Sequence, residues 1–462
     1  MKTLSLEEVR AAVGGRWASE GEIAAVRGVA TDSRTAREGE LFFALRGARF
    51  DGHAFLAQAA AAGCCAAVVA DDAAIDCAAA AAFPGRLIAV ADTTRALGDL
   101  AAHHRRLVRA AVVAVTGSNG KTTVKRMVHH ILSRRLRGSA SPKSFNNAVG
   151  VPLTLLAVAP DDDYVVCELG TNAPGEIAAL AEMSRPDVAV ITSVGPSHLE
   201  RFGTVERIAA EKAAILGPLA GDGLAVVWAD SEPLDRAVRP YGRRPVRFGQ
   251  SPSADLRLTG REARGSRQRF QLNGQAWFDL PLPGRHNALN ALAAVATAGR
   301  FGFSPRQAGE ALADFRGEPM RLEWQALAGG TVINDAYNAN PASLAAAAEV
   351  LAAAGGRRKV IIVGDMLELG EQAEALHLQA GRGLAAAGVD LVVAVGALGR
   401  YIAQGAAEDG CAAAAFDDVP AAAARMGELL AAGDTVLLKA SRGAALERLL
   451  DSVRESLRAG PR

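Results

Sequence analysis

Apolar residues in this chain gather in short runs set between longer alanine-rich stretches. Such runs fall at Leu41 to Leu45, Ala66 to Val69, Ala111 to Val115, Tyr164 to Cys167, Val188 to Thr192 and Leu224 to Trp228. Four more follow at Thr331 to Asn334, Lys359 to Val363, Leu391 to Val395 and Thr435 to Leu438. Continuous apolar runs of strand length, separated by helical stretches, read as βαβ units and therefore as parallel sheet. The pattern predicts an α/β protein of three units: 1–86, 87–315 and 316–462. Pro245 to Pro283 alternates and carries turn signals, which predicts a small antiparallel extension of the middle sheet. The last unit reads as a second doubly wound sheet of Rossmann-like kind.

Length agrees with that division, since 462 residues at about 150 per domain give about three domains. Lys plus Arg (51) nearly cancels Asp plus Glu (50), leaving +1, so no general affinity for nucleic acid is expected. Five cysteines, Cys64 and Cys65 adjacent and no C-x-x-C, read as free thiols in a reducing cytoplasm. Acids in the first eight residues argue against a signal peptide. The most membrane-like stretch, Ala54 to Ala70, is mostly alanine and holds Gln58 and Gly63; it reads as a buried helix running into a strand, with no membrane insertion. No exposed heptad or repeat is visible, and a monomer is expected. The strings His103 to Arg106 and Arg134 to Arg137 read as solvated helix faces, and His129-His130 lacks zinc spacing.

One segment carries clear chemistry. Thr116-Gly117-Ser118-Asn119-Gly120-Lys121-Thr122-Thr123 follows an apolar strand and opens a helix. Backbone N–H groups of such a loop converge on phosphate oxygens and the helix N-terminus adds its positive end. Lys121 can reach the terminal phosphates and Thr122 can give an oxygen to magnesium. Glu168 ends a buried strand at the edge where parallel sheets bind ligands; it reads as a metal ligand or as a helix cap. His198 follows another strand on that edge, as a ligand or as a structural loop histidine. Asp335-Ala336-Tyr337-Asn338-Ala339-Asn340-Pro341 forms a second polar cluster, a site or a plain strand-to-helix turn. Gly364-Asp365-Met366 is a weaker signal of the same sort.

Taken in order, these motifs resemble the Mur ligase family, the ATP-dependent amide ligases of peptidoglycan precursor synthesis. The resemblance runs the length of the chain. Thr31-Asp32-Ser33-Arg34, Ala44-Leu45-Arg46-Gly47 and Asp51-Gly52-His53 are similar to the family's uridine-nucleotide-binding domain, which implies substrate contacts from Ser33, Arg34, Arg46, Gly47 and His53. Thr116 to Thr123 matches its P-loop, and Ser144-Phe145-Asn146-Asn147 resembles the segment that approaches the muramoyl substrate. Within the family, Glu168-Leu169-Gly170-Thr171-Asn172, the Tyr-Asn-Ala-Asn cluster and Gly364 to Gly370 resemble the member that adds D-alanyl-D-alanine to UDP-muramoyl-tripeptide. The Asp-Asn-Pro-Arg of the sister that adds diaminopimelate or lysine is absent.

That resemblance implies ATP and two Mg2+ ions, with Glu168 and His198 as metal ligands and a carbamylated Lys212 holding the second ion. Asn287 and Asn290 would approach adenine, and Arg321 and Asp335 phosphate and ribose. Asn146, Asn147, Thr171, Asn172, Tyr337, Asn338, Asn340, Lys439, Ser441 and Arg442 would line the peptide and dipeptide sites. Read from its own residues alone, Lys212 is a surface helix lysine. The implied reaction passes through an acyl phosphate, with the last unit swinging over the nucleotide. A sister ligase is the nearest alternative; a P-loop switch is the other, although the Asn-Lys-x-Asp of guanine-specific switches is absent.

Overall fold

A computed structural model of the chain describes residues 1–18, 25–47, 49–72, 81, 83 and 86–459. Cys77 lies outside the described residues; Cys64, Cys65, Cys167 and Cys411 are free. Three main sheets follow one another along the sequence. The first orders its strands Arg16–Trp17, Leu87–Val90, Ala66–Ala70, Glu40–Phe43 and Gly28–Ala30, parallel except for Arg16–Trp17. This sheet runs past residue 86, because the apolar strand Leu87–Val90 pairs with Ala66–Ala70.

The middle sheet has nine strands, with Ala111–Thr116 between Val188–Ile191 and Tyr164–Glu168. Val112 to Val115 are fully buried, as a strand covered by helices on both faces requires. The extension over 245–283 is only partly antiparallel. Val246–Gly249 and Leu256–Arg264 first continue the parallel order, and the direction reverses with Arg267–Leu272 and Ala276–Leu280. The last sheet orders Glu323–Leu327, Gly330–Asn334, Thr435–Lys439, Lys359–Gly364, Leu391–Val395 and Ala412–Phe416, parallel except at Glu323–Leu327.

Two sequence expectations change. His104 is fully buried rather than solvated: its Nε2 accepts from the Lys2 N–H (3.0 Å) and its Nδ1 lies 3.1 Å from the Leu155 carbonyl. Its neighbour Arg105 donates to the Ser184 carbonyl and to Asp187, which ties the helix Thr93–Leu107 to the middle sheet. By contrast Arg134, Arg135 and Arg137 are exposed, as expected. His129 and His130 bond the Tyr164 hydroxyl and Asp314, so their rings serve packing and an ion pair. Among the described residues no helix is long and apolar enough to cross a membrane.

Candidate active site

The strand Ala111–Thr116 delivers the chain to the carboxyl edge of the middle sheet, where it must turn into the helix Lys121–Leu132. The turn needs both glycines. Gly117 (φ 148°) and Gly120 (φ 84°) sit in the left-handed half of backbone space, and a Cβ would lie 2.0 Å from Thr192 Oγ1 or 2.4 Å from Asn290 Oδ1. Ser118 and Asn119 donate their N–H groups to the Ser193 carbonyl and hydroxyl, both at 2.9 Å, which clamps the loop to the neighbouring strand end. The first-turn N–H groups of the following helix, Thr123 among them, have no intrahelical acceptor and suit an anion. Lys121 Nζ lies folded over the loop, 2.8 Å from the Gly117 carbonyl. Burial and Arg321 lower its pKa, with Glu168 opposing.

Glu168 stands at the end of the adjacent strand, 1% exposed. Its Oε2 accepts from Thr122 Oγ1 (2.9 Å) and lies 3.2 Å from Lys125 Nζ; its Oε1 accepts from Asn146 Nδ2 (2.9 Å). Burial pushes this carboxyl up, but Lys125, Lys121 and the two hydrogen bonds outweigh it and hold the pKa below the ordinary value. Glu168 is therefore a side-chain anchor beside the phosphate loop and caps no helix; the next helix, Glu176–Ser184, begins after Gly175.

Both stretches open into one cavity of about 630 Å3 between the middle and last units. Ser118 to Thr123, Glu168 and His198 line it, so the glycine turn, the acid and the imidazole share one chamber. His198 has a left-handed backbone (φ 55°), and its Nδ1 lies 2.5 Å from Oε2 of Glu368, a residue of the last unit that is itself at φ 66°. Burial lowers the His198 pKa, Glu368 raises it, and Lys121 and Lys212 lower it again.

The last unit supplies the opposite wall, and its contacts cross the cavity. Asn340 Nδ2 donates to Asn119 Oδ1 (2.9 Å) and Arg321 donates to Thr122 Oγ1 (3.1 Å). Arg321 also lies over the Tyr337 ring at 4.1 Å, and the Tyr337 hydroxyl meets Ser144 Oγ at 2.5 Å. Lys439 Nζ pairs with Asp335 at 2.6 Å and reaches the Asn338 carbonyl at 3.0 Å. A ribose would therefore meet an ion pair, not a free carboxylate. Ser441 takes the Leu367 N–H, and Arg442 pairs with Glu447 at 2.6 Å. Asn146, Asn147, Thr171 and Asn172 line the near side, and Asn287 and Asn290 the end beyond the loop. Asn290 packs on Gly120 itself, while Asn287 donates to the Pro283 carbonyl at 2.7 Å.

Two groups of expected residues lie elsewhere. Lys212 is no surface lysine: it is 2% exposed, is not among the residues lining the cavity, and forms no hydrogen bond or ion pair among the described residues. Burial, with Lys121 nearby, lowers its pKa well below the ordinary value, against the pull of Glu211 and Glu176. Glu211 is already engaged, accepting from the Gly175 and Ile177 N–H groups at 2.8 Å each. The first-unit residues do not border this cavity. Ser33 bonds Gln58, Arg34 pairs with Asp32, and Arg46 pairs with Asp72 beside Gly47. His53 uses both ring nitrogens inside the unit, on Asp51 and on the Ala70 N–H, so it shapes the loop and offers no free donor. Sequence reasoning missed Lys125, one helical turn after Lys121, although the spacing was a signal; Glu368 entered only within the Gly364 to Gly370 motif and was given no role of its own.

Comparison with known proteins gives concordant matches. The Mur ligase middle domain matches residues 115–298, the Mur ligase glutamate ligase domain 320–442, and the Mur ligase family catalytic domain 25–105. The UDP-N-acetylmuramoyl-tripeptide–D-alanyl-D-alanine ligase of Escherichia coli (strain K12) is 38% identical over 438 residues, covering 93% of this chain and 94% of that protein. A crystal structure of MurF from Acinetobacter baumannii superposes with a TM-score of 0.88 at 33% identity, covering 98% of this chain and 99% of that one. MurF from Thermotoga maritima in complex with ADP gives 0.82 at 28% identity, covering 94% and 98%.

Proposed function

This chain belongs to the Mur ligase family, and on that premise we propose how its residues divide an ATP-dependent ligation of D-alanyl-D-alanine to UDP-N-acetylmuramoyl-tripeptide. One observation carries the reading: the phosphate loop, Glu168, His198 and the Tyr-Asn-Ala-Asn turn of the last unit line a single cavity. A carboxylate is a poor acyl donor because oxide is a poor leaving group. Phosphoryl transfer from ATP makes it an acyl phosphate, whose carbonyl the dipeptide amine attacks. The C–N bond forms and the C–O bond breaks. Phosphate then leaves with the electron pair, and the amine loses its proton.

In this division, Gly117 to Thr123 cradle the phosphates, and Lys121 swings from the Gly117 carbonyl to offset charge on the transferred group. The donor set fits Mg2+. Thr122 Oγ1 and Glu168 Oε2 sit 2.9 Å apart with His198 on the same wall, and no cluster of three acidic, histidine or cysteine ligands forms among the described residues. An ion held by few protein groups plus phosphate and water is the usual magnesium arrangement. Bound there, Mg2+ would neutralise phosphate charge as a Lewis acid. Lys212 fits a second ion only once altered: a buried amine kept neutral can add CO2, and the carbamate is an anion able to hold a cation. Arg321, Asp335, Asn287 and Asn290 would hold the nucleotide. Asn146, Asn147, Thr171, Asn172, Tyr337, Asn338, Asn340, Lys439, Ser441 and Arg442 would face the peptide and dipeptide. Ser33, Arg34, Arg46, Gly47 and the loop held by His53 would take the uridine end.

Contacts across the cavity support closure of the last unit over the nucleotide, which keeps water from the acyl phosphate. We read the enzyme as cytoplasmic, since ATP and UDP-linked precursors are cytoplasmic molecules, and as a monomer, since its sequence carries no exposed heptad or repeat. The test is phosphate release with UDP-muramoyl-tripeptide. Release that depends on D-alanyl-D-alanine and yields the pentapeptide is expected; release indifferent to the dipeptide would overturn the reading.

A further inference from the structure

Lys125 is a buried cation of the site that the phosphate-loop pattern leaves without a task. It is 1% exposed, one turn along the helix from Lys121. Its Nζ lies 3.2 Å from Oε2 of Glu168 and 2.5 Å from the carbonyl oxygen of Lys143. Lys143 begins the turn that carries Ser144, Asn146 and Asn147, and its backbone is left-handed (φ 47°). The turn is held again at its far end. Asn146 Nδ2 donates to Oε1 of the same Glu168, and the Asn146 carbonyl accepts the Gly170 N–H at 2.7 Å. A Cβ on Gly170 would come within 2.8 Å of the Asn146 amide, so the approach is tight.

These contacts close a ring: Lys125 to Glu168, Glu168 to Asn146, Asn146 through the turn to Lys143, and Lys143 back to Lys125. Glu168 is fixed at both oxygens and the turn at both ends. Ser144, between the anchors, is the residue that reaches Tyr337 of the last unit. Lys125 makes no hydrogen bond to the phosphate loop, so its reach ends at the acid and the turn.

We propose that Lys125 is a positioning residue for the muramoyl-peptide substrate: its ammonium draws the Lys143 carbonyl and the Glu168 carboxylate together and so presents the Ser144 to Asn147 turn to the cavity. This rests on the reading that the turn faces that substrate. The contribution is geometric, because a buried ammonium with two oxygen partners cannot shift without leaving one of them unpaired.

The experiment compares Lys125→Met, close in length and uncharged, with the unaltered enzyme. Calorimetry would measure UDP-muramoyl-tripeptide binding at saturating β,γ-methylene ATP, and separately ADP binding. Since a hydrogen bond to a charged group is worth about 1.5–3 kcal/mol, tripeptide affinity should fall about tenfold or more while ADP affinity stays within about twofold. KM for the tripeptide should rise with it. Equal losses for both ligands, or a lowered melting temperature with unchanged binding, would overturn the proposal. Asn146→Ala supplies a second reading should Lys125→Met not fold: it cuts the ring at the other end and should give the same selective loss. An Asn146→Ala enzyme that binds the tripeptide normally would also overturn it. Failure of the unaltered enzyme to bind the tripeptide would instead sink the functional reading, which keeps the two failures apart.

Discussion

Lys125 and Lys212 are buried alike, 1% and 2% exposed, in the same unit, and their surroundings are opposite. Lys125 has a carboxylate at 3.2 Å and a carbonyl at 2.5 Å. Lys212 has neither, and the neighbouring Glu211 carboxylate is spent on backbone N–H groups. Burial disfavours the charged form of Lys212, and it has no close anion to restore it. An ammonium with partners can only hold things in place. A buried amine that gives up its proton is a nucleophile, and unpaired surroundings are what the proposed carbamylation of Lys212 would need. The lesson is that burial alone does not assign a lysine its chemistry; the partner does.

The largest expected effect removes what both lysines serve. Lys121→Ala or Glu168→Ala should lower kcat by about 10²–10³ or more while circular dichroism stays native, because Lys121 would offset charge on the reacting phosphoryl group and Glu168 would hold the Mg2+ that does the same. Near-normal turnover by either variant would break the assignment.

Next comes a pair of opposite signs. Lys125→Met leaves Glu168 buried without its cation and should cost about 3–5 kcal/mol of stability by denaturant titration. Lys212→Met should raise the melting temperature in CO2-free buffer while abolishing ligation. Between the lowered folded value and the ordinary 10.5 the unfolded chain binds a proton at Lys212 that the folded chain gives up, so stability rises with pH across that window. Losing that amine removes the penalty. If both variants move stability the same way, the contrast between the two lysines is wrong.

A smaller effect separates the lysines by reagent. Stripping CO2 from the buffer should slow the unaltered enzyme, bicarbonate should restore it, and 13C-bicarbonate should label Lys212 but not Lys125 in a carbonyl-region NMR spectrum. The smallest effect concerns a third buried base. Burial, together with the positive N-terminus, lowers the His104 pKa to about 4, against 6.5 ordinarily. Its bond from the Lys2 N–H requires the neutral ring. Stability should therefore fall as pH drops from 6.5 towards 4, by at most about 3 kcal/mol at 1.36 kcal/mol per pKa unit. His104→Gln should flatten that slope.

Much of this was legible in the chain because its signals are local. Strand, glycine turn and lysine-opened helix lie within Ala111 to Leu132, and Glu168 and His198 follow apolar strands that can only end on the same edge. What was not legible depends on remote partners. Ala412–Phe416, four alanines and a phenylalanine, has the composition of helix filler and is a strand only because Leu391–Val395 pairs with it. Leu87–Val90 belongs to the first sheet for the same reason. His104 sits in a string of basic residues that looks solvated until the Leu155 carbonyl is packed against it. Lys125 acquires its two partners from a turn and a strand far along the chain, and Glu368 meets His198 only across the cavity.

The central claim, that ATP activates the peptide carboxyl group before the amine attacks, has one direct test. UDP-muramoyl-tripeptide labelled with 18O in its terminal carboxylate would be turned over with ATP and D-alanyl-D-alanine, and the released phosphate weighed by mass spectrometry. The account predicts that one labelled oxygen passes into each phosphate, because the C–O bond of the acyl phosphate is the bond that breaks. Phosphate free of label, with pentapeptide formed, would contradict it.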